Sequence, residues 1–186
     1  MTTQTPLLGR QDRATWQSIL LIIGASLLVA LSARVEVPMV PVPMSLQTLA
    51  ISVIGLTLGA RLAGAALLAY LAQGAMGLPV FAGGGAGIAY MAGPTGGFLI
   101  GFVGMAWLTG YLAEQGFARG FWRTFGAAIV PATLLFVPGV AWLWAVTPLD
   151  FQGALMAGMV PFLAGGFVKS ALAALIVTGG WKASGR

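Results

Sequence analysis

Long apolar stretches, separated by short groups of charged residues, dominate this sequence. Five stretches contain no ionised side chain, and they comprise residues 15–33, 37–60, 62–113, 124–149 and 151–168. A helix needs about 20 apolar residues to cross roughly 30 Å of hydrocarbon, so each stretch has room for at least one membrane span, and the longest has room for two. The pattern therefore predicts an integral membrane protein built from helices.

Charged residues, prolines and glycines divide these stretches into six predicted transmembrane helices. We place them at residues 16–33, 45–58, 62–76, 95–113, 125–146 and 161–177. The second and third are short for a complete crossing. The predicted fold class is an all-α integral membrane protein, with a single six-helix domain at residues 16–180. A tail at residues 1–15 precedes this domain, and a tail at residues 181–186 follows it.

The basic residues predict the orientation of this bundle. Six crossings place both termini, and the loops after the second and fourth helices, on one side of the membrane. Seven of the nine basic residues fall on that side, namely Arg10, Arg13, Arg61, Arg119, Arg123, Lys182 and Arg186. On the opposite side there is only Arg34. The positive-inside rule therefore predicts that both termini are cytoplasmic. The polar N-terminal stretch has no cleavage pattern, so we expect a tail rather than a signal peptide.

The composition excludes several classes of chemistry. Only 7% of the residues are charged and 59% are hydrophobic, which is not the composition of a soluble enzyme. The chain contains no His and no Cys, and its four carboxylates are scattered, so we expect no catalytic residues, no metal site and no cofactor. There is no P-loop pattern, so the chain is not expected to bind ATP in that way. We interpret the net charge of +5 as an orientation signal, not as a nucleic-acid site.

Two segments on the predicted outer face have unusual sequences. Residues 34–45 (RVEVPMVPVPMS) contain three prolines, which predict an extended and stiff loop. Residues 77–97 (GLPVFAGGGAGIAYMAGPTGG) contain eight glycines but remain apolar. Irregular apolar backbone at membrane depth has to be covered by protein or line a cavity, because lipid offers its amides no hydrogen bonds. A simple glycine-rich turn is the alternative, although the segment is long for that purpose.

Lys169 is the strongest candidate for a functional residue. At about 1.5 Å per residue, it lies roughly 20 Å along the sixth helix from Lys182, in the outer half of the bilayer. An ammonium group at the centre of a membrane helix costs about 2.5–3.5 kcal/mol on insertion scales, so an intramembrane lysine indicates a functional site. The alternatives are that Lys169 extends to the outer headgroups or pairs with Asp150 or Glu36.

Neutral polar residues near Lys169 are candidate ligand contacts. Gln47 and Thr48 lie near the outer start of the second helix, and Thr95 lies at the start of the fourth. A mostly apolar pocket with a few such groups is typical of small-molecule sites. On the first helix, Ser26 and Ala30 have the spacing of a small-residue contact, which serves either internal packing or a partner helix.

Two further glycine pairs have the GxxxG spacing typical of close helix contacts. Gly55 and Gly59 lie on the second predicted helix, and Gly97 and Gly101 lie on the fourth. We expect both pairs to serve internal packing.

Four motifs in order resemble the BioY family, the biotin-specific substrate-capture (S) subunits of energy-coupling-factor transporters. The motifs are PVPMSLQTLAISVIGLTLGARLAG (residues 41–64), GLPVFAGG (77–84), GPTGGFLIGF (93–102) and PFLAGGFVKSALAA (161–174). The resemblance implies a six-helix protein of the bacterial inner membrane that captures biotin from the outer face. It also implies two kinds of partner, a transmembrane coupling subunit and two cytoplasmic ATPases.

The resemblance also implies roles for particular residues. In the family, the loops after the first helix and before the fourth cover the ligand, which places Gly85 and Tyr90 around the apolar ring of biotin. Lys169 corresponds to the family's ligand-contacting lysine. Ser26 and Ala30 correspond to the small residues that contact the coupling subunit.

The sixth helix departs from the family pattern at two positions. The family usually has Pro-Phe-x-Pro-Gly-Asp-x-x-Lys here, with the Asp and the Lys both contacting the ligand. This sequence retains Lys169 but has Gly166 at the Asp position and Ala164 at the second Pro position. A glycine neither neutralises the lysine nor accepts hydrogen bonds from ureido N–H groups. Three alternatives to biotin capture therefore stay open: capture of another small biotin-like molecule, a stand-alone facilitator, and a non-transporting membrane scaffold.

Overall fold

The protein, described at residues 14–183 by a computed structural model, is mainly helical. Its helices are α1 (Thr15–Ala33), α2 (Gln47–Leu58), α3 (Ala60–Ala75), α4 (Gly87–Met91), α5 (Gly96–Leu112), α6 (Phe121–Leu134), α7 (Phe136–Val146), α8 (Phe151–Gly158) and α9 (Val160–Ala183). Two short strands, β1 (Glu36–Val37) and β2 (Met44–Ser45), connect α1 to α2. The predicted tails, with Arg10, Arg13 and Arg186, lie mostly outside the described residues.

Four helical segments of the described chain are long and apolar enough to cross a membrane. They comprise Thr15–Ala33, Gly96–Phe117, Phe121–Val146 and Phe151–Ala183. The remaining two predicted spans correspond to α2 and α3, which have 12 and 16 residues. The count of six crossings depends on including these two shorter helices, and it stays a prediction.

The fifth predicted span is divided into two helices, α6 and α7, whereas the sixth lies within the single helix α9. Pro138 has no N–H to donate to the carbonyl of Leu134, and α6 ends at that residue. The short helix α8 was not predicted. It begins after Asp150, whose carboxylate accepts a hydrogen bond from the N–H of Gly153 at 2.8 Å, a normal N-terminal cap. Pro161 lies in the first turn of α9, where a missing N–H costs no helical hydrogen bond.

The proline-rich loop is a small antiparallel hairpin. Glu36 pairs with Ser45 and Val37 pairs with Met44. The N–H of Leu46 then donates to the carbonyl of Val35 at 3.0 Å, which brings the end of the hairpin against the start of α2. The prediction of an extended segment is confirmed, whereas the pairing of its two strands was not predicted.

The central helix of the bundle is α2, which contacts α1, α3, α5, α6 and α9. Its Ile51 and Leu56 side chains are fully buried. Gly55 lets α5 approach closely, because a methyl group there would lie 2.8 Å from Cβ of Thr109. Internal packing, as predicted for this GxxxG pair, is therefore confirmed at Gly55.

The second glycine pair faces α7. A methyl group at Gly97 would lie 2.4 Å from the carbonyl oxygen of Pro138, and one at Gly101 would lie 2.7 Å from Leu135. Both glycines therefore permit the close packing of α5 on α7, which confirms the predicted internal role of this pair as well.

Gly110 is a position in α5 where a side chain would meet the backbone between α2 and α3. A methyl group there would lie 2.4 Å from the backbone nitrogen of Ala60 and 2.4 Å from the carbonyl carbon of Gly59. Both contacts are to backbone, so no side-chain rotation relieves them. We expect Gly110→Ala to destabilise the protein by roughly 1–3 kcal/mol, the usual cost of overpacking. Thermal unfolding in detergent measures this as a lower Tm.

The matched control for this prediction lies on the same helix. Gly104→Ala meets nothing within 4 Å and should leave Tm unchanged or raise it slightly, because alanine favours helices over glycine. Equal Tm values for the two variants would contradict the packing argument.

Candidate ligand-binding site

A cavity lies where the hairpin, the glycine-rich segment and four helices meet. The hairpin contributes Val42, Pro43 and Ser45, and the glycine-rich segment with α4 contributes Ala82 and Tyr90. The other lining residues come from α2, α5, α9 and the α6–α7 junction, namely Gln47, Thr48, Thr95, Phe98, Leu99, Phe102, Leu135, Phe162 and Lys169. Both α2 and α5 begin at the cavity. Five of the seven ligand residues predicted from the sequence, all except Gly85 and Gly166, therefore lie on its wall.

Lys169 is the one cation on this wall. Its side chain is only 9% exposed, and its Nζ donates a hydrogen bond to the backbone carbonyl of Ser45 at 3.0 Å. Glu36 and Asp150, the pairing partners left open by the sequence, accept instead from the N–H groups of Gly83 and Gly153. No acidic residue lies among the described residues that line the cavity. The ammonium group therefore faces the cavity without a neutralising carboxylate.

Thr48 presents a hydroxyl group with no hydrogen-bond partner among the described residues, although the oxygen is buried. Several threonines in or just after a helix donate to the carbonyl four residues earlier, namely Thr57, Thr124, Thr133, Thr147 and Thr178. The residue four before Thr48 is Met44, which lies in β2. The hydroxyl of Thr48 therefore has no such local acceptor, and its contact with a ligand stays a prediction.

Tyr90 closes one side of the cavity. Its hydroxyl donates to the carbonyl of Ala82 at 3.3 Å, and burial raises the pKa of this phenol above its usual value. The group therefore stays protonated near neutral pH. Gly85 lets the ring lie flat on the backbone, because a methyl group there would lie 2.2 Å from the Tyr90 ring. The structure thus gives Gly85 a packing role, and its contact with a ligand stays a prediction.

Gln47 lies on the wall, but its amide is engaged within the protein. Its Oε1 accepts from the hydroxyl of Ser45 at 2.9 Å, and its Nε2 donates to the hydroxyl of Tyr70 at 2.7 Å. Sequence reasoning missed Tyr70. The available signal was a phenol in the middle of an apolar helix, where a buried hydroxyl usually has a partner.

Two charged residues of the hairpin hold the glycine-rich segment in place. Oε2 of Glu36 accepts from the N–H of Gly83 at 3.0 Å. The guanidinium group of Arg34 donates to the carbonyl of Pro79. The two unusual outer segments therefore contact each other directly, at the side of the cavity where both contribute wall residues.

Gly166 lies one helical turn before Lys169 and does not line the cavity. A methyl group at this position would meet nothing within 4 Å. The position therefore has space for a larger side chain, including the aspartate of the family pattern.

Ser26 is used inside the bundle. Its side chain is fully buried, donating to the carbonyl of Ile23 at 2.8 Å and accepting from Nε2 of Gln73 on α3 at 3.0 Å. Ala30 is half-buried and packs against the core. In this conformation Ser26 makes an internal contact and offers no free surface to a partner helix. The partner role predicted for Ser26 and Ala30 stays a prediction.

Known proteins resemble this chain over most of its length. The model of the BioY family matches residues 4–186 of the chain. This chain belongs to the BioY family. It is 36% identical over 165 residues to the biotin transporter BioY2 of Lactococcus lactis subsp. cremoris (strain MG1363), covering 87% of this chain and 88% of the relative. It is 34% identical over 172 residues to the biotin transporter BioY of Rhizobium etli, covering 88% and 91%.

The fold of this BioY family member also matches a solved structure. The crystal structure of the S-component for biotin from an ECF-type ABC transporter superposes with a TM-score of 0.82 at 22% identity, covering 94% of this chain and 95% of that chain. The predicted S-component-like bundle is therefore confirmed as a fold. Membership of the BioY family confirms two further predictions, that the protein is not an enzyme and that it is a multi-pass protein of the inner membrane.

Proposed function

We propose that this protein is the substrate-capture subunit of a biotin uptake system. It binds the vitamin from the outer face and passes it to an ATP-driven coupling module. The observation that carries this proposal is the buried ammonium group of Lys169, which faces a largely apolar cavity in a BioY family member. Biotin combines an apolar ring with a carboxylate and a ureido carbonyl, so its oxygens suit a single buried cation.

Different residues of the cavity wall support different aspects of ligand capture. Lys169 interacts with the ligand's oxygen groups, and Tyr90 with the glycine-rich segment around Gly85 encloses the apolar ring. Thr48 and Thr95 supply neutral hydrogen bonds, and the unpartnered hydroxyl of Thr48 supports this assignment most directly.

We infer six crossings with both termini in the cytoplasm. The seven basic residues predicted on that face support this orientation. Contacts at one end of the bundle support it further, because they join segments predicted on the same face. The Arg119 guanidinium lies 5.2 Å from the ring centre of Trp181, and the carboxylate of Glu114 accepts from the N–H of Ala60 at 2.9 Å.

Energy for uptake comes from partner subunits in this proposal. The chain has no P-loop sequence. The solved structure that it matches in fold is an S-component from an ECF-type ABC transporter. We propose a transmembrane coupling subunit and two cytoplasmic ATPases as partners. The exposed face of α1, which includes Leu20, Ile23 and Leu27, is available to a membrane partner or to lipid.

Ligand identification tests the proposed function. The protein is purified in mild detergent from cells grown with biotin, and small molecules released on denaturation are identified by mass spectrometry. We expect biotin. Another small molecule with a carboxylate and an apolar ring would favour the alternative suggested by Gly166, namely capture of a different biotin-like ligand. Absence of any ligand, with no heat of binding on biotin addition, would contradict the capture role and favour a scaffold.

A further inference from the structure

Tyr70 lies directly behind the wall of the cavity and is fully buried on α3. Its hydroxyl accepts a hydrogen bond from Nε2 of Gln47 at 2.7 Å and donates one to the carbonyl of Val80 at 3.2 Å. Gln47 belongs to the wall, and Val80 belongs to the glycine-rich segment two residues before the wall residue Ala82. One hydroxyl therefore joins three separate parts of the fold.

The hydrogen bonds that join Ser45, Gln47, Tyr70 and Val80 form a chain in which each donor precedes its acceptor. The hydroxyl of Ser45 donates to Oε1 of Gln47, and Nε2 of Gln47 donates to Tyr70, which in turn donates to Val80. A phenol has a single proton, so donation to Val80 leaves its oxygen to accept from Gln47. Removal of this hydroxyl leaves both an amide N–H and a carbonyl without their partner.

The ring of Tyr70 supports the same wall through aromatic contacts. It meets the fully buried Phe81 edge-on, with 5.5 Å between ring centres. Phe81 stacks on Tyr90, with 5.2 Å between ring centres and 17° between planes. A methyl group at Gly74 would lie 2.0 Å from the Phe81 ring, so this glycine provides the space that Phe81 occupies.

We propose that Tyr70 is a positioning residue for ligand capture. Its hydroxyl holds Gln47 and the glycine-rich segment in the arrangement that forms part of the cavity wall. Gln47 accordingly acts by orienting Ser45 and the wall, and its amide is a structural group of the site. This inference rests on the proposed function, since capture is the activity that the arrangement serves.

Tyr70→Phe isolates the hydroxyl, because it keeps the ring that supports Phe81. We expect biotin to bind about tenfold more weakly, the effect of losing one buried hydrogen bond, with most of the change in the dissociation rate. Isothermal titration and stopped-flow release measure these quantities. The matched control is Tyr111→Phe, which removes the same group from an exposed tyrosine stacked on Trp107, and it should bind like the wild type.

A second measurement requires no ligand. Hydrogen–deuterium exchange of residues 79–86 should become faster in Tyr70→Phe, while exchange in α6 stays unchanged, because the hydroxyl holds that segment locally. Unchanged exchange would overturn the inference even if the protein binds no biotin. If the wild type binds no biotin but exchange responds as expected, then the proposed function fails and the positioning by Tyr70 stands.

A double-mutant cycle separates positioning from general loss of stability. In a Gln47→Met background, Tyr70→Phe should weaken biotin binding by less than tenfold, because one of the two groups through which the hydroxyl acts is already absent. An additive effect on affinity would overturn the proposed route through Gln47.

Discussion

Replacing Lys169 by methionine is expected to abolish biotin binding and to leave the protein folded. Methionine retains much of the length and apolar character of the lysine stem, so the helix packing survives. Lys169 is 9% exposed, and its ammonium group faces a cavity without acidic residues on its described wall. Each hydrogen bond to a charged group contributes about 1.5–3 kcal/mol, or roughly 10- to 150-fold in affinity, and an ammonium group has more than one N–H to donate.

Titration calorimetry with biotin, together with thermal unfolding, checks this expectation. Removing a charge from a membrane helix relieves an insertion cost of about 2.5–3.5 kcal/mol, so Tm should be unchanged or higher. The matched control is Lys182→Met, at the exposed end of the same helix, and it should bind normally. Unchanged binding by Lys169→Met would remove Lys169 from the site, and a lower Tm would indicate that its bond to Ser45 stabilises the fold.

Restoring the family's acidic residue by Gly166→Asp is expected to strengthen biotin binding. The position has open space, and it lies one helical turn before Lys169. A carboxylate there accepts hydrogen bonds from ureido N–H groups and fixes the ammonium group through a short ion pair. The gain should reach about tenfold and at most about 150-fold, the range for a hydrogen bond to a charged group.

The control for this variant keeps the shape and removes the charge. Gly166→Asn should bind biotin with an affinity between those of the wild type and Gly166→Asp. If Gly166→Asp binds biotin more weakly than the wild type, the glycine is an adaptation to a different ligand. Comparing the masses of the small molecules that co-purify with the two proteins then identifies the change.

The helical framework follows from the sequence because hydrophobic length and charge are local properties. The α1 helix ends at Ala33 and α2 ends at Leu58, both as predicted, since a charge or a glycine follows each helix. The break between α6 and α7 and the existence of α8 were not predicted. Pro138 was placed inside a single predicted span, and the start of α8 depends on the cap at Asp150, which a pattern of apolar residues does not reveal.

The polar residues of the site were predictable as candidates, but their connections were not. Lys169, Thr48 and Tyr90 were unusual in their own segments, and the structure brings them to one cavity. The hydrogen bond from Lys169 to Ser45 joins residues 124 positions apart, and the bond between Gln47 and Tyr70 joins different helices. Nothing in the local pattern specifies such tertiary contacts, which is why Gln47 looked like a ligand contact and Tyr70 received no role.

The two helices that begin at the cavity, α2 at Gln47 and α5 at Gly96, also affect its electrostatic potential. Peptide dipoles add along a helix, so each N-terminus carries the equivalent of about half a positive charge. Together with the ammonium group of Lys169, they make the cavity a region of positive potential inside a low-dielectric bundle. We expect this potential to favour ligands that carry a negative charge. An amine derivative of biotin, with the same rings but a cationic tail, is expected to bind more weakly than biotin.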